Sequence, residues 1–144
     1  MSDIPFSCTI ANRAYDELRM QSSTLSMGRW LMPPEPVPGR KEATAIGVIP
    51  QARSPYLKGQ AVYQLGSDEA AWVKIGWDIP GISGTTSIVN VETSHPDIIA
   101  TLDGFIGSSE REDITLIVAD VRTRPNGSNG GSNGGSNGGG NGAA

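Results

Sequence analysis

The sequence holds one cysteine and one histidine in 144 residues. A single cysteine excludes an internal disulfide, so no covalent staple supports the fold. Cys8 reads as a small buried hydrophobe rather than a reactive thiol. His95, with one distant cysteine, falls short of the several nitrogen, sulfur or carboxylate ligands that hold a metal, and no metal or cofactor is expected. Long apolar runs are also missing, none approaching the roughly 18 residues of a membrane span. Cations are in deficit: 11 Lys and Arg against 15 Asp and Glu give a net charge of −4 and a pI near 4.9. That balance argues against nucleic acid, whose phosphates need a basic face, and against electrostatic capture by anionic lipid. A neutral or zwitterionic partner is left. The start, MSDIPFSCTI, has an acid and a proline where the apolar part of a leader would stand. The expectation is a soluble protein without a signal peptide, either cytoplasmic or exported by an unconventional route.

From Pro125 the sequence is PNGSNGGSNGGSNGGGNGAA, with no charge and no aromatic ring. Such a stretch has nothing to bury and loses much backbone entropy if ordered. It is expected to be a disordered, flexible Gly/Asn/Ser-rich tail over 125–144, a natural low-complexity extension or an artificial linker. Asn126-Gly127-Ser128 is formally a glycosylation acceptor. The folding unit is then residues 5–124, the size of one domain.

Within that unit the strongest pattern is AWVKIGWDIPGISGTT, Ala71 to Thr86. Val73, Ile75 and Trp77 alternate with Trp72, Lys74 and Gly76, the two-residue period of a strand with one buried face. Asp78 and Pro80 are expected to stop it, because proline donates nothing to a ladder. Further short strands are expected at Ser7–Asn12, Leu18–Gln21, Thr44–Ile49, Gln60–Leu65, Ser87–Thr93, Ile98–Phe105 and Ile114–Arg122. Ser22–Thr24 reads as a polar break, Gly66–Glu69 as a hairpin turn and Gly107–Asp113 as a charged, solvated turn. Four prolines between Pro33 and Pro38 forbid helix and predict a rigid extended loop crossing between two sheets. About eight short strands with no convincing helix predict an all-β fold, a two-sheet antiparallel β-sandwich.

Little suggests catalysis. His95, in SHPD beside a proline, reads as an exposed loop residue, and nothing around it resembles a nucleophile elbow. Glu110, Glu112 and Asp113 read as solvent-facing rather than as a catalytic pair. No enzyme is expected. What stands out is aromatic: Trp30, Trp72, Trp77, Tyr56 and Tyr63. Such rings suit a membrane–water boundary, apolar at one end and polar at the other. Trp77 shares a face with Val73 and Ile75 and is expected in the core, whereas Trp30 and Trp72 are open between core and surface.

Four motifs follow in order: LSMGRW with Gly28 and Trp30, the segment with Pro33 and Pro34, LKGQAVYQL with Gly59, and VKIGWDIPGISGTT with Trp77, Asp78, Pro80, Gly81 and Gly84. Together, over about residues 7–121, they resemble the aegerolysin family, small acidic β-sandwich proteins known mainly from fungi and bacteria. The resemblance implies a non-enzymatic protein that recognises membrane lipids, sphingolipid with sterol or ceramide phosphoethanolamine. Some members are cytolysin components, haemolytic toxins that act with a larger pore-forming partner, and oligomerisation on the membrane is implied with it. On this reading the lipid-binding residues are Trp30, Trp72, Trp77, Asp78 and Tyr56. Their rings gather at one rim and insert shallowly, each contributing about 0.5 to 2 kcal/mol against a choline group by cation–π contact. Asp78 meets the headgroup amine, or alternatively caps its own loop. A different class, a lectin-like or self-associating β-sandwich whose aromatic patch stacks on sugar or on another subunit, fits the same residues.

Overall fold

The computed structural model describes residues 5–82, 84–105, 107 and 112–122. The 125–144 tail, Asn126 and Glu110 lie outside them. The strands are β1 (Phe6–Asn12), β2 (Leu18–Met27), β3 (Arg29–Met32), β4 (Glu42–Ile49), β5 (Leu57–Leu65), β6 (Asp68–Ile79), β7 (Ile88–Thr93), β8 (Ile98–Asp103) and β9 (Glu112–Asp120). They form two sheets, β3-β4-β1-β9-β8 and β2-β5-β6-β7, packed as an all-β sandwich. Among the described residues no helix is long and apolar enough to cross a membrane.

Alternation builds the core. Val73, Ile75, Trp77 and Ile79 of β6 point inward with Ala61, Tyr63 and Leu65 of β5, against Phe6, Cys8 and Ile10 of β1 and Ile114, Leu116 and Val118 of β9. Each large aliphatic or aromatic side chain so enclosed contributes about 1.5–3 kcal/mol.

Several boundaries differ from the sequence reading, each for a hydrogen-bonding reason. β2 runs straight through Ser22–Thr24, which pair with Val62, Ala61 and Gln60 of β5. An edge strand needs only one partner and tolerates polar side chains on its open side. β6 does not stop at Asp78, which pairs with Lys58, and it continues to Ile79 before Pro80. β9 begins at Glu112, not at Ile114, because Glu112 donates its N–H to the Pro5 carbonyl at 2.7 Å. The Glu112 carboxylate is buried, not solvated, and accepts the Gly107 N–H at 3.1 Å. One pair, β1–β9, is parallel, while the others are antiparallel. The proline segment leaves β3 and returns to β4 of the same sheet. On the way Val37 exchanges two backbone bonds of 2.9 Å with Leu18 of the opposite sheet. Tyr63 reinforces that tie by donating its hydroxyl to the Glu35 carbonyl at 2.9 Å.

Cys8 is fully buried, and burial pushes its thiol pKa from 9.0 up to about 12. In the unfolded chain the thiol ionises near the lower value; in the folded chain it stays protonated to the higher one. Stability from this group is complete below pH 9.0 and is lost as pH rises toward about 12. The expected slope is about 1.4 kcal/mol per pH unit. Tyr63, also raised by burial, acts in the same direction. Urea midpoints measured from pH 7 to 11 test this: Cys8→Ala should flatten the alkaline fall relative to the parent chain.

Candidate functional site

The sandwich has two ends. Phe6, at the start of β1, lies at one; Asn12, six residues on, marks the other, about 20 Å away at strand rise. At the Phe6 end the sequence motifs converge. Trp77, 2 % exposed, stacks on Phe6 with ring centroids 4.9 Å apart, and Trp30 meets it edge-on at 5.9 Å. Trp30 is half-buried on β3, opposite Val48 of β4. Gly59, paired with Trp77 across β5 and β6, leaves the room that the indole fills. A Cβ there would fall 2.8 Å from the Trp77 ring and 2.7 Å from the Thr24 carbonyl. The glycine of LKGQAVYQL is thus a packing requirement of the tryptophan two strand residues before Ile79.

Trp72 does not join this cluster. Five residues back along β6 and on its outer face, it pairs with Gln64 and exchanges bonds with Ser94 at the opposite end. The three indoles therefore do not form one exposed rim. Two are packed into the sandwich from opposite sheets, and the third lies on the outer face of the four-stranded sheet, about 17 Å along the strand.

Asp78 and Tyr56 do come together. The Tyr56 hydroxyl donates to Asp78 Oδ1 at 2.6 Å, and Lys58 Nζ stands 3.9 Å from Oδ2. The carboxylate faces a phenol and an ammonium rather than capping its own loop. That hydrogen bond, more than any burial, holds the Tyr56 phenol above its ordinary pKa. Asp78 and Lys58 border a hollow of about 300 Å³ on the outer face of the four-stranded sheet, with Gln60, Ile88 and Asn90 along its wall. Gly76 forms part of its floor, where the strand alternation turns a glycine outward. After β6, Gly81 lies close to Pro55, whose carbonyl oxygen a Cβ at that glycine would approach to 2.5 Å. Ile82, next to Gly81, is 56 % exposed, and Ile88, at the start of β7 in the wall of the hollow, is 54 % exposed.

Lys58, Ile82, Ile88 and Asn90 were missed in the sequence. The outward set Gln60, Val62 and Gln64, continued two residues back, reaches Lys58. Nothing in ISGTTSI marks its isoleucines as exposed, because apolar side chains are expected inside. His95 is an exposed loop residue whose Nδ1 accepts the Asp97 N–H at 3.0 Å. Among the described residues no group of three His, Cys, Asp or Glu is placed to hold a metal ion.

The architecture defines a two-sheet β-sandwich, a fold that the chain shares with solved structures at low sequence identity. It is similar to the RahU protein, solved in complex with a Tris molecule, at 12 % identity and a TM-score of 0.69, covering 83 % of this chain and 96 % of that one. It is similar also to IP-1A from Alcaligenes faecalis, at 14 % identity and a TM-score of 0.62, covering 83 % and 92 %. No family model and no curated protein matches the sequence.

Proposed function

We propose that this chain is a non-enzymatic membrane-lipid-binding protein that takes a zwitterionic headgroup at the Phe6 end. The observation that carries the reading is an exposed isoleucine, Ile88, in the wall of a hollow bordered by an acid and a base, Asp78 and Lys58. A phosphocholine or phosphoethanolamine group carries the matching charges, amine toward Asp78 and phosphate toward Lys58. Ile88 supplies the apolar contact that an interface rewards, and the volume lies at the lower end for a small-ligand site. RahU, whose structure holds Tris, takes up a hydroxylated amine, a chemistry related to those headgroups. Sphingomyelin with sterol and ceramide phosphoethanolamine are the lipids proposed. Membrane damage, by the same proposal, requires a larger pore-forming protein. Of the indoles, Trp30 and Trp77 serve by shaping this end rather than by inserting.

Sedimentation with vesicles tests the reading. Retention is expected on vesicles that present a phosphocholine or phosphoethanolamine headgroup, those with sphingomyelin and cholesterol or with ceramide phosphoethanolamine among them, and not on vesicles of phosphatidylglycerol alone. Ile88→Asp should weaken binding by about tenfold or more, since burying such a side chain contributes about 1.5–3 kcal/mol. Asp78→Asn should weaken it comparably, while Trp72→Ala should leave it unchanged. No retention on any mixture, together with a signal on a glycan array, would turn the assignment to a lectin-like module. Dye leakage with the chain alone is expected to be absent.

A further inference from the structure

At the other end of the sandwich, a second hollow of about 180 Å³ is lined by Ala11, Asn12, Arg13, Arg40, Lys41 and Glu42. Three cations against one acid leave it with a surplus of two positive charges, in a chain whose net charge is −4. Arg19, Lys58, Lys74 and Arg122 are each ion-paired. Among the described residues, no carboxylate pairs with Arg13, Arg40 or Lys41.

The hollow is also rigidly built. Arg40 donates one guanidinium N–H to the Arg13 carbonyl at 2.7 Å, and its backbone N–H to the Ala14 carbonyl at 2.9 Å. The guanidinium carbon sits 5.0 Å over the ring of Tyr15, which is 85 % exposed. So exposed a ring fills no core; its face serves as a plate that fixes the arginine. Arg40 itself holds a left-handed backbone, φ 63, although a glycine stands next to it at position 39. The strain of a side chain in that region is kept together with the charge it positions.

We propose that this hollow binds a phosphate-type oxyanion, free or as the monoester of a larger molecule. A fixed guanidinium flanked by two further cations matches the charge and the multiple acceptors of a phosphate. Its room, about six times the ~30 Å³ share of one liquid water, admits a phosphate group with its bound water. The site is independent of the lipid reading, being at the opposite end of the strands.

The test titrates the full chain with inorganic phosphate at pH 7, ionic strength held constant with sodium chloride. Amide spectra and the thermal midpoint are followed. The expected result is a saturable response centred on residues 11–13 and 39–42, with the midpoint raised. Arg13→Gln/Lys41→Gln, two exposed side chains without described hydrogen bonds, should bind about tenfold more weakly while keeping the parent's circular dichroism. Asp78→Asn should bind phosphate as the parent does. An equal response to chloride, or undiminished binding by the double variant, overturns the proposal. Given the phosphate response, retention on phosphatidic-acid vesicles that the double variant loses assigns the anion to a lipid monoester. A phosphate response without such retention assigns it to a soluble one.

Discussion

Trp77→Ala is expected to destabilise the fold by about 3–5 kcal/mol, the range for truncating a large buried aromatic side chain. The indole is 2 % exposed and is held by the facing five-stranded sheet, stacked on Phe6 of β1 and met edge-on by Trp30 of β3. Alanine would leave a cavity that cannot collapse easily, because Gly59, on the paired strand, has no side chain to move into it. The indole N–H is buried and meets no acceptor among the described residues, and an unpaired buried donor costs about 1–3 kcal/mol. Trp77→Phe removes that donor while keeping a ring against Phe6. It should therefore cost well under half as much as the alanine variant. Urea unfolding followed by far-ultraviolet circular dichroism measures both; equal losses for Phe and Ala would show that the ring stack contributes little.

This cluster explains what the sequence could and could not disclose. Val73, Ile75 and Trp77 announce a buried face by their spacing, and the structure places them there. The same holds for Ile114, Leu116 and Val118, so the sandwich was legible from period alone. The tryptophans, by contrast, read as ligand residues because indoles suit a bilayer surface. Gly59, Trp30 and Trp77 instead meet one another. Sequence order cannot reveal that a glycine on β5 and an indole on β6 are opposite each other, since register is set by pairing across the sheet. The Tyr56–Asp78–Lys58 group was half visible. Asp78 and Tyr56 were marked one at a time for charge and ring. Their contact, across 22 positions, depends on the β5–β6 register that puts Lys58 opposite Asp78. Exposed Ile82 and Ile88 had no sequence signal at all, because the pattern rules assign apolar residues to the interior.

Gly39→Ala is expected to cost a comparable amount, about 3–5 kcal/mol, from overpacking and broken buried hydrogen bonds together. A Cβ at this position would lie 1.8 Å from the Tyr15 carbonyl oxygen and 2.6 Å from its carbon. Both are backbone atoms, so no side-chain rotation relieves the clash, and the 33–41 segment must part from the 13–17 turn. Asn12 holds those two segments together. It is 2 % exposed, and its amide donates to the carbonyls of Asp16 at 2.9 Å and of Val37 and Pro38 at 3.2 Å each, while its oxygen accepts the Ala14 N–H at 3.0 Å. Two amide hydrogens shared among three carbonyls leave nothing to lose without exposing a buried acceptor. Asn12→Ala removes this clamp with no added atom and should cost about 2–4 kcal/mol by the same route. Both variants loosen the frame that positions Arg13 and Arg40, so in chains that still fold the phosphate response should weaken while vesicle binding at the far end persists. Hydrogen exchange localised to residues 12–18 and 37–41 is the measurement. Protection there unchanged in Gly39→Ala would mean that the two segments have room to separate without loss, and that the clamp does not hold this end of the sandwich.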